Sequence, residues 1–320
     1  METWGLDVLR PERLTWASAD RLFTLRCKSN NVAATTQRLY GSQIGAFKRW
    51  AESQGLRPSE TTTAHLRAYL EAKRAKGNKD VSVDCSYRVL KTFWRFLKRD
   101  GLIIQDPMEK VEHPRIESRL IRPFTTEQLR ALLSVIPART DLGARDFALL
   151  TLLADSGLRV SEALSLEVGA VDFGSGTVRV MGKGRKERVV PFGQTAKRAL
   201  IEWLKVRGEI PGVSSLWINR LGHGITSRQV LRRMVEYGEA AKIEQVRISP
   251  HTLRHTFAVS YLRNGGDPLT LQRILGHTDL AMTRRYVALT GDDLAARHRL
   301  ASPLDKMGLF PNERKQVRLK

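Results

Sequence analysis

Cysteine is nearly absent: the 320 residues contain two, Cys27 and Cys85, with no Cys-x-x-Cys pair. That excludes a disulfide framework and a cysteine-based zinc site. No apolar run approaches the roughly 18–20 residues of a membrane span. The opening METWGLDVLRPERL lacks the apolar centre of a secretion signal, so the reading is a cytoplasmic chain without membrane partners. There is no G-x-x-x-x-G-K-[ST] loop, no His-Glu-x-x-His and no carboxylate cluster at metal-binding spacing. The reading therefore names no cofactor and no metal. Acidic residues are also scarce, with 33 Asp+Glu against 54 Lys+Arg and a formal net charge of +21. Such an excess repels itself unless a polyanion relieves it, and nucleic acid is the first candidate. Apolar residues at 42% and charged residues at 27% make a globular mixture.

The boundary signal lies between Gly101 and Pro123, where Pro107, Pro114 and Pro123 punctuate the charged run EKVEHPRIESRLIRP. Proline biases its predecessor away from helix, so an extended linker is expected near 111–122. The stretch before it reads as all helix. Thr35 and Thr36 can cap a helix bearing Tyr40, Ile44, Phe47 and Ala51, and Thr63 can start one bearing Leu66 and Leu70. Val83, Tyr87, Leu90, Trp94 and Leu97 form a third apolar stripe, with Arg88, Lys91, Arg95 and Lys98 opposite. An earlier helix fits 15–28. After the linker, helices are expected from Thr125, over 143–155 and from Val160. The period then changes. TVRVM (177–181) and RVVPF (188–192) form a hairpin around GKGRKE, and 170–173 can add a strand. Helices return near 194–207, 226–241, 251–264, 268–275, 279–286 and 291–300. The fold class is mainly α with a small antiparallel sheet, an α+β arrangement.

Without a metal, phosphodiester chemistry needs fixed cations for the developing charge and an amino-acid nucleophile. Suitable residues recur in order. Arg159 stands in SGLRVSEALSL, after a helix stop, and Lys183 at the hairpin tip. His251 and Arg254 share a helical face in SPHTLRHTFA, His277 follows in LGHTDL, and Tyr286 closes MTRRYVAL. Each alone has a plainer reading. Arg159 could be a surface or capping residue and Lys183 a solvated turn lysine, with Lys186 as rival. His251 could be an ordinary residue near a helix start, and His277 a cap. Tyr40, Tyr87 and Tyr261 read as core, and His255 and His298 as structural.

The four stretches SGLRVSEALSL, VMGKGRKERVVPF, SPHTLRHTFAVSYLRNGGDPLTLQRILGH and RRYVAL resemble the tyrosine recombinases of the phage integrase family, especially the Xer type. They occur in the family's order and cover most of 123–290, while 14–100 matches the family's helical core-binding domain more loosely. The resemblance implies a helical SAM-like core-binding domain at 14–112, a linker at 113–122 and a catalytic domain at 123–300. A short extension (1–13) precedes them and a tail (301–320) follows.

By the same resemblance, Tyr286 is the nucleophile that forms a 3′-phosphotyrosyl bond. Arg159 and Arg254 clamp the non-bridging oxygens. Lys183 protonates the leaving 5′-oxygen, His251 assists proton transfer, and His277 bonds a non-bridging oxygen. Glu162, one helical turn beyond Arg159, braces that arginine. Arg88 and Lys91 are the candidates for DNA phosphate contacts outside the catalytic set. The implied partner is double-stranded DNA with inverted-repeat half-sites, exchanged through a Holliday junction without metal or ATP. The implied assembly is a homotetramer, a dimer of dimers, or a synapse shared with a paralogous recombinase. Leu294, Leu300, Leu304, Met307, Leu309 and Phe310 could anchor the tail on a neighbouring protomer or on its own domain. The cytoplasm, and the nucleoid when bound, is the implied place, and the unusual ends favour a mobile-element enzyme. Two rivals stay open: a type IB topoisomerase, and a DNA-binding regulator that makes no use of its catalytic set.

Overall fold

A computed structural model of the chain describes residues 14–114, 122–182 and 187–276, together with Tyr286, Ser302 and Met307. The chain divides into two compact units, residues 1–119 and 120–320.

In the first unit, α1 (Trp16–Ser29) starts at Thr15, whose side chain accepts from the Ser18 amide while Ser18 returns a bond to the Thr15 backbone. The next helix, α2 (Ala34–Ser53), is preceded by Ala33 and has no side-chain cap, so Thr35 and Thr36 lie inside its first turn and not at its cap. Thr62 caps α3 (Thr63–Ala75). The centre is α4 (Asp80–Arg99), against which α1, α2 and α3 all pack. Its apolar stripe is wider than the sequence pattern suggests, because Val89, Phe93 and Phe96 are buried as well. That leaves a narrow exposed line through Val81, Arg88 and Arg95, with Lys91 half-buried beside it. Edge-on rings of Trp16, Phe47 and Trp94 fill the middle, with centroids 5.5–6.1 Å apart. Residues 111–114 have no regular secondary structure, and Tyr87 Oη donates to the Val111 carbonyl at 3.1 Å.

The second unit begins with α5 (Thr126–Ser134), capped by Thr125, and α6 (Asp141–Ser156), capped by Thr140. The apolar run FALLTLLA makes α6 the buried axis, flanked by α8 (Gln194–Arg207) and α10 (Pro250–Arg263). Between α6 and α8 lie α7 (Val160–Leu164) and an antiparallel sheet in the order β1-β2-β3. Its strands are β1 (Val171–Asp172), β2 (Thr177–Met181) and β3 (Glu187–Pro191). The β2–β3 register pairs Val178 with Val190 and Val180 with Arg188. Val178, Val180 and Val190 are buried, so their face is the core face. The remaining described helices are α9 (Ser227–Ala240) and α11 (Pro268–Leu275).

Asp146 of α6 ties α9 to the core through a buried polar network. It accepts from Arg145 at 2.7 Å, from Arg233 Nε at 3.1 Å and from Tyr237 Oη at 2.8 Å. No helix among the described residues is long and apolar enough to cross a membrane. The helices expected at 279–286 and 291–300, and most of the tail, lie outside the described residues. Within those segments Tyr286 is helical, Ser302 is buried and Met307 is exposed.

Candidate active site

Two glycine junctions build the site. α6 ends at Gly157, whose φ of 63° is left-handed, a conformation that costs other residues more. Space reinforces the choice: a Cβ there would lie 2.3 Å from Phe257 Cδ1 and 2.9 Å from Leu275 Cδ2. The chain reverses, and Arg159 becomes the N-cap of α7. α11 ends the same way at Gly276, also with φ 63°. A Cβ at Gly276 would stand 3.1–3.2 Å from the Arg188 guanidinium.

Glu162 is the hub. It sits in the first turn of α7 and is 7% exposed. α7 is itself held by Trp217, whose Nε1 donates to the Ala163 carbonyl at 2.8 Å. Oε2 of Glu162 accepts the Arg159 backbone N–H at 2.8 Å, and Oε1 accepts Arg159 Nη1 at 2.9 Å. Arg188 forks onto the same carboxylate, Nη1 to Oε1 at 3.0 Å and Nη2 to Oε2 at 2.9 Å. Arg254 Nη1 stands 4.0 Å from Oε2. Burial alone would raise the Glu162 pKa, but the bonds and charge of Arg188 and Arg159 outweigh it and hold the carboxyl below its usual value. One carboxylate thus faces three guanidiniums, and the cluster is net positive.

Arg254, from α10, is buried. It donates to the Gly157 carbonyl at 2.6 Å and to the Leu275 carbonyl at 2.8 Å, joining both junctions. Burial, with Arg159 and Arg188 nearby, lowers its pKa to about 10 against the pull of Glu162 and Tyr286, so it stays cationic at neutral pH. His251 follows Pro250 at the start of α10 and is solvent-accessible. Partial burial, then Arg254, Arg247 and Arg159, push its pKa down, which favours the neutral imidazole. Tyr286 is 4% exposed and packs with Ala258, Val259 and Leu262 of α10 and Leu271 and Leu275 of α11. Burial raises its pKa, opposed by Arg254 and Arg159.

The structure therefore brings together Arg159, Glu162, His251, Arg254 and Tyr286. Lys183, its rival Lys186 and His277 lie outside the described residues. Arg88 and Lys91 belong to the first unit. Arg88 pairs with Asp84 at 2.7 Å, and Lys91 donates to Tyr87 Oη at 3.3 Å. Two members of the cluster escaped the sequence reading. Arg188 was visible only as part of a β-rich run, and its face follows only from the strand register. His255, read as structural, places its ring 4.9 Å from that of Tyr286, and its position one residue after Arg254 was the available clue. Among the described residues no group of three or more His, Cys, Asp or Glu could hold a metal ion.

Comparison with known proteins gives this cluster its setting. Residues 122–292 match the phage integrase family, and residues 26–101 match the phage integrase N-terminal SAM-like domain. The chain belongs to the phage integrase family. It is 32% identical over 298 residues to tyrosine recombinase XerC of Pelotomaculum thermopropionicum, covering 89% of this chain and 97% of the relative. It is 33% identical over 286 residues to tyrosine recombinase XerD of Pseudomonas aeruginosa, covering 87% and 96%. Among solved structures, XerH site-specific recombinase bound to its palindromic difH substrate superposes with a TM-score of 0.71 at 19% identity. That match spans 90% of this chain and 85% of XerH, and it shows that the fold is shared. The mainly helical architecture with one small sheet is thus the integrase fold, with the SAM-like domain preceding the catalytic one.

Proposed function

We propose that this phage integrase family member is a site-specific tyrosine recombinase that uses Tyr286 as its nucleophile. One observation carries the assignment: Tyr286 packs in one cluster with Leu275, whose carbonyl Arg254 bonds, and Arg254 also bonds the carbonyl of Gly157, two residues before Arg159. In the reaction the Tyr286 oxygen attacks the scissile phosphorus and the bond to the 5′-oxygen breaks. His251, held neutral, assists removal of the phenolic proton, and Lys183 supplies the proton that the leaving 5′-oxygen takes up. Arg159, Arg254 and His277 meet the charge on the non-bridging oxygens. The 3′-phosphotyrosyl bond keeps the energy of the broken linkage, so a 5′-hydroxyl of another strand can reverse the step without ATP or metal. Two such rounds pass through a Holliday junction.

The wider reading assigns residues 14–112 to DNA binding and 123–300 to catalysis, joined at 113–122. A tetramer on paired inverted half-sites, a tail (301–320) exchanged between protomers and a role in moving a mobile element complete it. The test is a supercoiled plasmid carrying two copies of the DNA that flanks this chain's own gene, incubated with the protein and EDTA. Exchange confined to the two copies is the expected result. Relaxation without site dependence would mean a topoisomerase, and site-specific binding without strand exchange would mean a regulator.

A further inference from the structure

Arg188 stands where a strand turns its side chain into the core, opposite Val180. A guanidinium there loses hydration and is tolerated only with full pairing. It is paired on every nitrogen. Nη1 and Nη2 fork onto the two Glu162 oxygens, and Nε donates to the Ile274 carbonyl at 3.2 Å, in the last turn of α11. The absent side chain of Gly276 leaves the room it occupies. Arg188 therefore joins three pieces: the strand leaving the GKGRKE loop, the first turn of α7, and the end of α11, after which His277 follows.

Two arginines share the Glu162 carboxylate unequally. Arg188 is 15% exposed and uses all three nitrogens inward. Arg159 is 44% exposed and bonds through Nη1 alone among the described side-chain contacts, leaving Nε and Nη2 for a ligand. The geometry gives Arg159 to the substrate and Arg188 to the scaffold.

We propose that Arg188 is a positioning residue: it locks the Glu162 carboxylate in the orientation that aims Arg159, and it fixes that carboxylate relative to the end of α11. The proposal rests on the recombinase reading. Lysine cannot replace the arginine, because one ammonium cannot span both carboxylate oxygens and a carbonyl. A shift of about 1 Å in a positioning contact can cost on the order of a hundredfold in rate.

The experiment measures the rate of SDS-resistant adduct formation on nicked DNA from the flanks of the gene, together with DNA affinity and melting temperature. The proteins are wild type, R188Q, R188K, E162Q and the E162Q/R188Q double variant. R188Q should cleave about a hundredfold slower with DNA affinity unchanged, and R188K should recover only part of the rate. The double variant should cleave no slower than the worse single variant, because both changes break one contact. Wild-type rate in R188Q would overturn the proposal. So would effects that multiply in the double variant, or a rate loss matched by equal losses of affinity and melting temperature. A wild-type protein that forms no adduct would overturn the recombinase reading itself, a result separate from any behaviour of R188Q.

Discussion

His251 titrates in the field of three guanidiniums, those of Arg254, Arg247 and Arg159, and its partial burial acts in the same direction. All four influences disfavour the imidazolium. Below the ordinary histidine pKa of about 6.5 the unfolded chain binds a proton that the folded chain resists, so stability contributed by this site falls on acidification through that window. Arg247 is exposed and, unlike Arg159 and Arg254, lies outside the proposed phosphate clamp. R247Q should therefore raise the His251 midpoint, read from its ring protons by NMR, and an unchanged or lower midpoint would contradict the electrostatic account. Arg159, Arg254, His251 and Tyr286 stood out in the sequence because their types and order fall within motifs that resemble the integrase family. Arg188 was not, since ERVVP has two adjacent valines and does not reveal its inward face. Only pairing Val190 with Val178 settles the register, and the partner carboxylate lies 26 residues away. The contact of His255 with Tyr286 joins positions far apart in the chain, which no local pattern encodes.

Helix spacing shows which faces are apolar, but the ends of elements depend on single hydrogen bonds. Thr15, Thr62, Thr125, Thr140 and Thr226 cap helices as their chemistry suggests, whereas α2 starts without a side-chain cap, a few residues earlier than a cap at Thr35 or Thr36 implies. Burial on nearly all sides of α4 follows from its neighbours, because three helices surround it. The tie between α6 and α9 shows how polar residues also join elements. Asp146 is buried and serves Arg145, Arg233 and Tyr237 at once, and burial with the nearby carboxylate raises the Tyr237 pKa to about 12. D146N leaves the buried Arg145 without its counter-charge, while Arg233 keeps its pair with Glu236. Removing one partner of a buried pair costs about 3–5 kcal/mol, so urea unfolding of D146N should show a loss of that order. A loss below about 1 kcal/mol, typical of an exposed pair, would contradict it.

For the whole molecule, the excess of 21 positive charges suits a polyanionic partner, and each phosphate that a cation contacts would steepen the fall of affinity with salt. The exposed line on α4 offers a direct measure. Arg88 is 64% exposed despite its bond to Asp84, and Lys91 lies beside it over the Tyr87 ring. If both touch phosphate, R88Q and K91Q should each weaken binding alike on all sequences and reduce the salt slope by about one. An unchanged slope would remove α4 from the DNA-facing surface. The central claim is chemical, however, and one measurement reaches it most directly. Nicked DNA from the flanks of the gene is incubated with the protein and EDTA, and any SDS-resistant adduct is digested and mapped by mass spectrometry. The account predicts a nucleotide attached to the peptide at Tyr286 and no adduct from Y286F. An adduct that persists in Y286F, or that maps to another residue, would contradict it.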